Sequence, residues 1–343
     1  MQYLFELSGE SPEIGLQELA ALFYPFKFSI IKEFDRFVVL ESKIPEKKIK
    51  ELSERSAFLH HSAIIVAKLK SLLLEELDKV KWAFVKVPYC VRAIDLTGTE
   101  FAGLEARLAG PIYDYLVHHK NSSQPLVSLG NPKTTVLFVI TKKEVYVTKV
   151  LWKVPKGRFI GREPIKKPAF HPTTLKPKLA RLLVNLARAK KSKTLLDPFC
   201  GTGSVLIEAA ILGCKPVGVD IDADMIKGSK TNLKFYKQKA SVILGNATKL
   251  HKLIKLSSID AIATDPPYGR STKVVAESIQ HLYKDFFLSA NEVLKPKHFL
   301  SVLYPHYINA KKLLNKKQWQ IVFESEMYVH GGLTRKFLIL QKR

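Results

Sequence analysis

The sequence predicts an α/β fold, with a doubly wound parallel sheet in the C-terminal half behind an α+β N-terminal half. Three observations predict it. Thr194 to Leu196 closes a short apolar run that reads as a buried strand, with Asp197 at its tip and the glycine turn Gly201-Thr202-Gly203 just beyond. Ser204 to Leu212 then reads as a helix that Gly213 ends, and Lys215 to Val219 as the next strand, with Asp220 at its tip, 23 residues after Asp197. A further buried strand, Ile259 to Thr264, runs into Asp265-Pro266-Pro267-Tyr268-Gly269. Strand, glycine turn, helix, strand, acid is the order of a nucleotide-binding βαβ unit, so the half is read as Rossmann-like.

Each part of that unit has a physical reason. Glycines let the backbone turn sharply and approach a ligand where a Cβ would collide. A carboxylate at Asp220 suits a ribose diol, since it can accept from both hydroxyls. By itself Gly-Thr-Gly also fits a plain strand–helix connection, and the spacing to Asp220 does not separate NAD from S-adenosylmethionine. The next motif separates them. Asp265-Pro-Pro-Tyr268 resembles the Asp/Asn-Pro-Pro-Tyr signature of the amino-directed S-adenosylmethionine methyltransferases. The residue types suit that chemistry. The lone pair of an exocyclic amine on a nucleobase is delocalised into the ring, and Asp265 can accept a hydrogen bond from the amine and localise it. Neither proline donates, so the Pro266 carbonyl is free to take the other amine proton. Tyr268 offers a ring on which a planar base can stack. The bland reading, a strand-ending turn, loses ground because the glycine loop precedes the motif in the right order.

The chain has 343 residues, enough for two domains or more, and its 46% hydrophobic share excludes global disorder. It has no run of eighteen apolar residues, and its first residues, MQYLFELSGE, are acidic, so neither a transmembrane helix nor a secretory signal is expected. Cys90, Cys200 and Cys214 lack paired spacing, which fits a reducing cytoplasm and argues against a disulfide framework or a metal site. Cys200 is read as a small loop residue rather than a nucleophile. The net charge of +24 points to an anionic partner. Half of the excess, +12, falls in residues 151–193, against +2 in 1–150 and +10 in 194–343. A solvated, self-repelling linker is the ordinary fate of such a run. Trp152, Phe159 and Phe170 among the cations suit phosphate contacts with stacking instead.

In order, residues 2–8 alternate as a strand, and Ser11-Pro12-Glu13 opens a helix to about Phe23. Phe28 to Phe34 and Arg36 to Glu41 read as a hairpin, Pro45 to about Ala57 as a helix, and His60 to Leu69 as a strand. This βαββαβ order reads as a ferredoxin-like domain over residues 1–60 with its closing strand beyond. A short helix over 72–79 follows, then extended segments from Trp82 to Val87 and Arg92 to Leu96. Thr99 to Lys120 reads as a helix interrupted at Gly110-Pro111. After Pro125 to Leu129 come two strands, Thr134 to Thr141 and Val145 to Leu151. With Leu-Gly-Asn-Pro before the hairpin, residues 61–152 resemble a THUMP domain, which implies a grip on the acceptor end of tRNA.

Residues 153–169 read as a basic interdomain linker. Phe170-His-Pro-x-x-Leu-x-Pro-x-Leu-Ala-Arg181 then matches the segment ahead of the cofactor loop in THUMP-containing guanosine methyltransferases, and a helix is expected from about Lys178 to Ala189. Past Asp220 come a helix to Phe235 and a third strand, Ser241 to Leu244. At its tip stands Asn246, where the family commonly has an aspartate that accepts from adenine; the Asn246 side-chain oxygen can still accept. Val274 to Leu294 and Tyr307 to Asn315 are expected as helices around a strand from His298 to Tyr304. Gln320 to Val329 and Lys336 to Gln341 are expected as a closing hairpin through His330-Gly-Gly-Leu-Thr-Arg335, which resembles the family's terminal segment.

Taken together, the chain resembles the archaeal THUMP-containing tRNA guanosine-10 N2-methyltransferases. The resemblance implies a Rossmann-like class I methyltransferase domain with a seven-stranded sheet over residues 170–343. It also implies transfer of one or two methyl groups from S-adenosylmethionine to the guanine exocyclic amine of tRNA, at position 10. Guanosine 6 of tRNA, an amine of adenine or cytosine in DNA, and a non-catalytic RNA-binding relic are the alternatives. The expected catalytic residues are Asp265, Pro266, Pro267 and Tyr268. The expected cofactor contacts are Thr174, Leu175, Asp197, Phe199, Cys200, Gly201, Gly203, Asp220, Ile221, Asn246, Ala247 and Asp265. Lys153, Lys156, Arg158, Arg162, Lys166, Lys167 and Arg335 are expected to touch RNA, although Arg335 also fits an ordinary hairpin-turn arginine. No metal or membrane is expected, and a small activator subunit is left open.

Overall fold

The computed structural model describes residues 1–99, 102–120, 127–269, 276–330 and 333–343. The chain forms two compact units. One comprises Met1–Ser8, Pro25–Glu54 and Leu59–Val154, the other Gly9–Tyr24, Arg55–Phe58 and Pro155–Arg343.

Strand β1 (Gln2–Leu7) opens the first unit, while helix α1 (Pro12–Phe23) belongs to the second. The first unit continues with β2 (Phe28–Phe34), β3 (Phe37–Ser42), α2 (Glu46–Arg55), β4 (Leu59–Leu69) and α3 (Leu74–Leu77). It ends with β5 (Tyr89–Asp95), α4 (Leu104–Lys120), β6 (Thr134–Ile140) and β7 (Val145–Lys153). One seven-stranded sheet, ordered β2-β3-β1-β4-β7-β6-β5, runs through it. The sheet runs through residue 60, since β4 pairs with β1 on one side and β7 on the other. The two-residue period of the strands divides the core. Leu137 and Val139 join Leu4, Val39 and Tyr146 in one cluster, and Val136 and Phe138 join Trp82, Tyr89 and Val147 in another. Trp82 starts a 3-10 turn, Trp82–Phe84, rather than an extended segment. The expected break in α4 is absent, and Pro111 lies inside a continuous helix. Leu108, Ile112 and Leu116, spaced four apart, are buried along one stripe, and that packing outweighs the hydrogen bond proline removes.

The second unit contains α5 (Pro177–Leu186), β8 (Thr194–Asp197), α6 (Ser204–Ile211), β9 (Lys215–Asp220), α7 (Ala223–Phe235) and β10 (Ser241–Leu244). These are followed by β11 (Ile259–Thr264), α8 (Ala276–Val293), β12 (Leu294–Pro305), α9 (Ala310–Leu313), β13 (Trp319–His330) and β14 (Leu333–Lys342). Its sheet is ordered β10-β9-β8-β11-β12-β14-β13. The pairings through β12 are parallel, and β14 is antiparallel to both of its neighbours. Alternation again sorts the core. Leu195, Ala261, Ala263, Phe337 and Ile339 pack with α5 and α6, and Leu196, Ile262, Leu338 and Leu340 with α8. Helix α1 joins the first of these clusters through Ile14. Its Glu18 is buried, and the carboxylate accepts from Ser56 Oγ (2.7 Å), the amides of Ala57 (2.7 Å) and Phe58 (2.8 Å), and Asn185 Nδ2 (2.7 Å). Four donors satisfy this buried charge, which ties α1 and residues 55–58 into the second unit.

From Pro155 the segment expected as a linker groups with the second unit. It forms 3-10 turns at Ile160–Arg162 and Pro164–Lys166. Tyr236 donates to the Gly161 carbonyl at 3.0 Å, and Asn232 bonds both the amide (2.9 Å) and the carbonyl (3.0 Å) of Ala169. Helix α9 is shorter than expected, because Asn309 caps it and Leu314 is already extended. The expected segment at Pro125 and Leu126, the start of the helix at Val274, and Gly331-Gly332 of the closing hairpin lie outside the described residues.

Candidate active site

The chain leaves β8 in one direction, toward β9 and β10, and later crosses to β11 and β12 on the other side. The carboxyl ends of β8 and β11 therefore flank a topological switch point, where open α/β sheets bind ligands. A cleft of about 960 Å³ lies there, lined by the ends of β8, β9 and β11 and by residues 171–175 and 246–248. Its floor is the glycine turn. Gly201 has φ +48° and Gly203 φ +88°, a left-handed backbone that strains any residue with a side chain, and at 203 a Cβ would also meet Ser229 Oγ at 2.6 Å. The amide of Gly201 donates to Asp220 Oδ2 at 2.7 Å, which locks the loop to the tip of β9.

Three carboxyls gather around this loop. Burial pushes Asp197 up to about 7, against the Thr264 hydroxyl (2.7 Å) and the Phe199 amide, and the neighbouring Asp220 and Asp265 raise it further. Burial also raises Asp220, opposed by the Asp222 and Gly201 amides. Asp265 is pushed up to about 6 by desolvation, opposed by the Arg335 cation and a hydrogen bond from Tyr268. Burial holds all three carboxyls above their ordinary range, Asp197 most of all because the other two stand beside it, and such a cluster forms a site for a cationic ligand. S-adenosylmethionine carries a sulfonium and an ammonium group, so the donor set fits it. Burial pushes the Cys200 thiol far up, so it stays protonated and inert.

The Asp-Pro-Pro-Tyr segment leaves β11 directly into the cleft, and all four side chains line it. The Tyr268 hydroxyl donates to Asp265 Oδ1 at 2.6 Å, and Tyr307 donates its hydroxyl to the Tyr268 carbonyl. Arg335 stands with its guanidinium carbon 5.6 Å from the centre of the Tyr268 ring. Thr174, Leu175, Phe199, Cys200, Ile221, Asn246 and Ala247 line the same cleft; Gly203 does not, and acts as the left-handed cap of α6. The Asn246 side-chain oxygen is already engaged, by the amide and hydroxyl of Thr248, both at 2.9 Å. It caps the turn that follows. Thr264 and Tyr307 are functional neighbours that sequence reasoning misses. Thr264 is accessible to it as the residue before Asp265 on the strand beside β8, whereas no motif marks Tyr307.

The cations of 153–167 divide. Lys153, Lys156 and Lys166 are exposed. Lys167 is buried and donates to Ser204 Oγ at 2.5 Å, and burial pushes it down to about 8. Arg162 pairs with the buried Glu208 at 2.5 Å, Arg181 pairs with the same carboxylate at 2.6 Å, and Arg158 donates to the Ser56 carbonyl at 2.7 Å. Lys167, Arg162 and Arg158 are thus engaged inside the second unit rather than presented to an outside phosphate.

The strand order, the glycine loop, the acids at the strand tips and Asp-Pro-Pro-Tyr after β11 define a class I methyltransferase with a seven-stranded Rossmann-like sheet. Comparisons with known proteins agree. Residues 164–336 match the family model described as RMKL-like, methyltransferase domain. Across all of both chains the sequence is 31% identical to the tRNA (guanine(10)-N2)-dimethyltransferase of Methanothermobacter thermautotrophicus, and the chain belongs to that family. It is 23% identical to the tRNA (guanine(6)-N2)-methyltransferase of Methanocaldococcus jannaschii, over 77% of this chain and 78% of that one. The crystal structure of TrmN from Thermus thermophilus superposes with a TM-score of 0.54, covering all of both chains at 21% identity, which shows the shared fold.

Proposed function

We propose that this enzyme transfers one or two methyl groups from S-adenosylmethionine to the exocyclic N2 amine of guanosine 10 in tRNA, in the cytoplasm. The observation that carries the reading is Asp265 and Pro266 at the mouth of β11, in one cleft with Asp197 and Asp220. Full-length similarity to a guanine(10) enzyme, against partial coverage by a guanine(6) enzyme, favours position 10 over position 6. The first unit is read as ferredoxin-like and THUMP modules that hold the tRNA.

Bound S-adenosylmethionine supplies a methyl group already activated by its sulfonium. Asp220 would hold the ribose hydroxyls, Ile221, Asn246 and Ala247 the adenine, and Asp197 with Thr174 and Leu175 the methionine end. The target guanine leaves its stack, since a paired amine cannot be reached, and Tyr268 stacks against it. Asp265 and the Pro266 carbonyl would accept hydrogen bonds from the two amine N–H groups, which turns the nitrogen lone pair toward the methyl group. The Tyr268 hydroxyl holds Asp265 in that orientation. With a pKa of about 6, Asp265 is ionised at neutral pH and too weak to strip a neutral amine. The proton therefore leaves once the nitrogen has gained its methyl group and a positive charge, with Asp265 as its nearest acceptor.

The test is methyl transfer from labelled S-adenosylmethionine to an unmodified tRNA transcript, with duplex DNA in parallel, followed by nucleoside digestion. N2-methylguanosine or its dimethyl form should come from tRNA alone and vanish when guanosine 10 is replaced. Product that survives this replacement but vanishes on replacing guanosine 6 would move the site, and methylated adenine or cytosine from DNA would overturn the substrate class.

A further inference from the structure

An aspartate and a proline carbonyl can receive the exocyclic amine of guanine, adenine or cytosine equally well, so this pair cannot choose the base. The Watson–Crick edges differ beside the amine. Guanine carries N1–H and, beyond it, the O6 acceptor, whereas adenine presents a ring nitrogen acceptor next to its amine and only a C–H in the place of O6; cytosine keeps an oxygen there, O2, but has a ring nitrogen acceptor in place of N1–H. A residue that reads O6 must offer donors, and a cation is best suited to a carbonyl oxygen.

Arg335 stands where such a residue is needed. Strand β14 is antiparallel to its neighbours, so its first residues lie at the carboxyl edge of the parallel strands; Arg335 pairs with Pro305 at the end of β12 and with Met327 on β13. It lines the same cleft as Asp265 and Tyr268. Its guanidinium approaches the Tyr268 ring, against which the base is read to stack. Its Nε is buried, with no hydrogen-bond partner among the described residues, and Arg335 makes no ion pair within 4 Å among them, not even with Asp265. The adjacent Lys336, by contrast, is paired with Glu326 at 2.6 Å. A buried donor left open in a ligand cleft marks the place of a missing acceptor. That the cation is felt at both Asp265 and Tyr268 agrees with this position.

We propose that Arg335 selects guanine over adenine by donating from its guanidinium to O6 while Asp265 holds the N2 amine on the far side of N1. This rests on the guanine-N2 reading above. The arrangement rejects adenine twice, since placing the adenine amine on Asp265 leaves Arg335 without the O6 acceptor, and placing it near Arg335 sets donor against donor.

The experiment uses the full chain and tRNA carrying guanosine or 2-aminopurine riboside at the target position. 2-Aminopurine keeps the amine and lacks O6. The wild type should favour guanosine in kcat/KM by at least on the order of 10². R335M should lose most of its rate on guanosine and little on 2-aminopurine, shrinking that preference at least tenfold, while R335K, with charge but no planar fork, should fall between. Unchanged binding of S-adenosylmethionine would show that each variant is folded around an intact cleft. Equal loss on both substrates, as a phosphate contact would give, overturns the proposal, and so does a wild type indifferent to O6. If the wild type methylates neither tRNA, the guanine-N2 reading itself has failed, a result distinct from loss of the preference alone.

Discussion

Asp265→Ala removes the acceptor that orients the amine, while its place at the mouth of a cleft leaves the fold intact. Turnover should drop by at least about 10³, with tRNA affinity and the melting temperature little changed. Appreciable residual activity would contradict the role given to this carboxylate. Asp197 makes a separate prediction. Its carboxyl is raised to about 7, so in the ligand-free protein it stabilises the fold fully at pH below the unfolded value near 4 and loses that contribution as pH rises through 7. A cation bound beside it favours the ionised form. Affinity for S-adenosylmethionine should therefore weaken about tenfold from pH 8 to pH 6, and Asp197→Asn should flatten that dependence. Calorimetric titration at both pH values checks the point, and a dissociation constant indifferent to pH would remove the electrostatic account of the cleft. Most of this site is legible in the sequence because glycine turns, strand-tip acids and Asp-Pro-Pro-Tyr are local patterns. Asn246 shows the limit. Its residue type permits an acceptor, and only the cap it makes with Thr248 shows that the oxygen is engaged.

Individual elements carry predictions of a different kind. Helix α1 is legible as a helix from its Pro at the first turn, but not as part of the methyltransferase unit, because the bonds that place it there join Glu18 to residues 56–58 and 185. Contacts between residues so far apart in sequence leave no local pattern. Glu18→Ala would strand four donors in the core and should destabilise the second unit by about 3 kcal/mol, read as a lowered urea midpoint. A loss under about 0.5 kcal/mol would mean that water replaces the carboxylate and that α1 is only loosely attached. For the same reason a fragment that starts at Pro155, which keeps the whole sheet but lacks α1 and residues 55–58, should fail to give a cooperative unfolding transition. The break expected at Pro111 fails in the opposite direction. There the local rule is sound, and the apolar stripe of α4 overrides it.

At the scale of the whole molecule, the placement of charge bears on where a tRNA substrate would be held. The net +24 points to an anionic partner, but its densest segment is only partly available. Composition counts Lys153, Lys156, Arg158, Arg162, Lys166 and Lys167 alike, whereas the structure turns Arg158, Arg162 and Lys167 inward, onto the Ser56 carbonyl, Glu208 and Ser204. The two groups should respond differently to neutralisation. Replacing Lys153, Lys156 and Lys166 with glutamine should flatten the dependence of log K on log salt by about 0.7 to 0.9 for each phosphate no longer neutralised, with the melting temperature unchanged. Replacing Arg162 and Lys167 should leave that slope as it was and lower the melting temperature, because Arg162→Gln weakens the pairing of a buried carboxylate and Lys167→Gln takes a donor from the start of α6. Filter binding across a salt series and a thermal scan on the same variants separate these outcomes. Loss of slope from the inward pair at constant stability would return the whole segment to the RNA-binding surface, and an unchanged slope from the exposed trio would move the phosphate contacts elsewhere on the molecule.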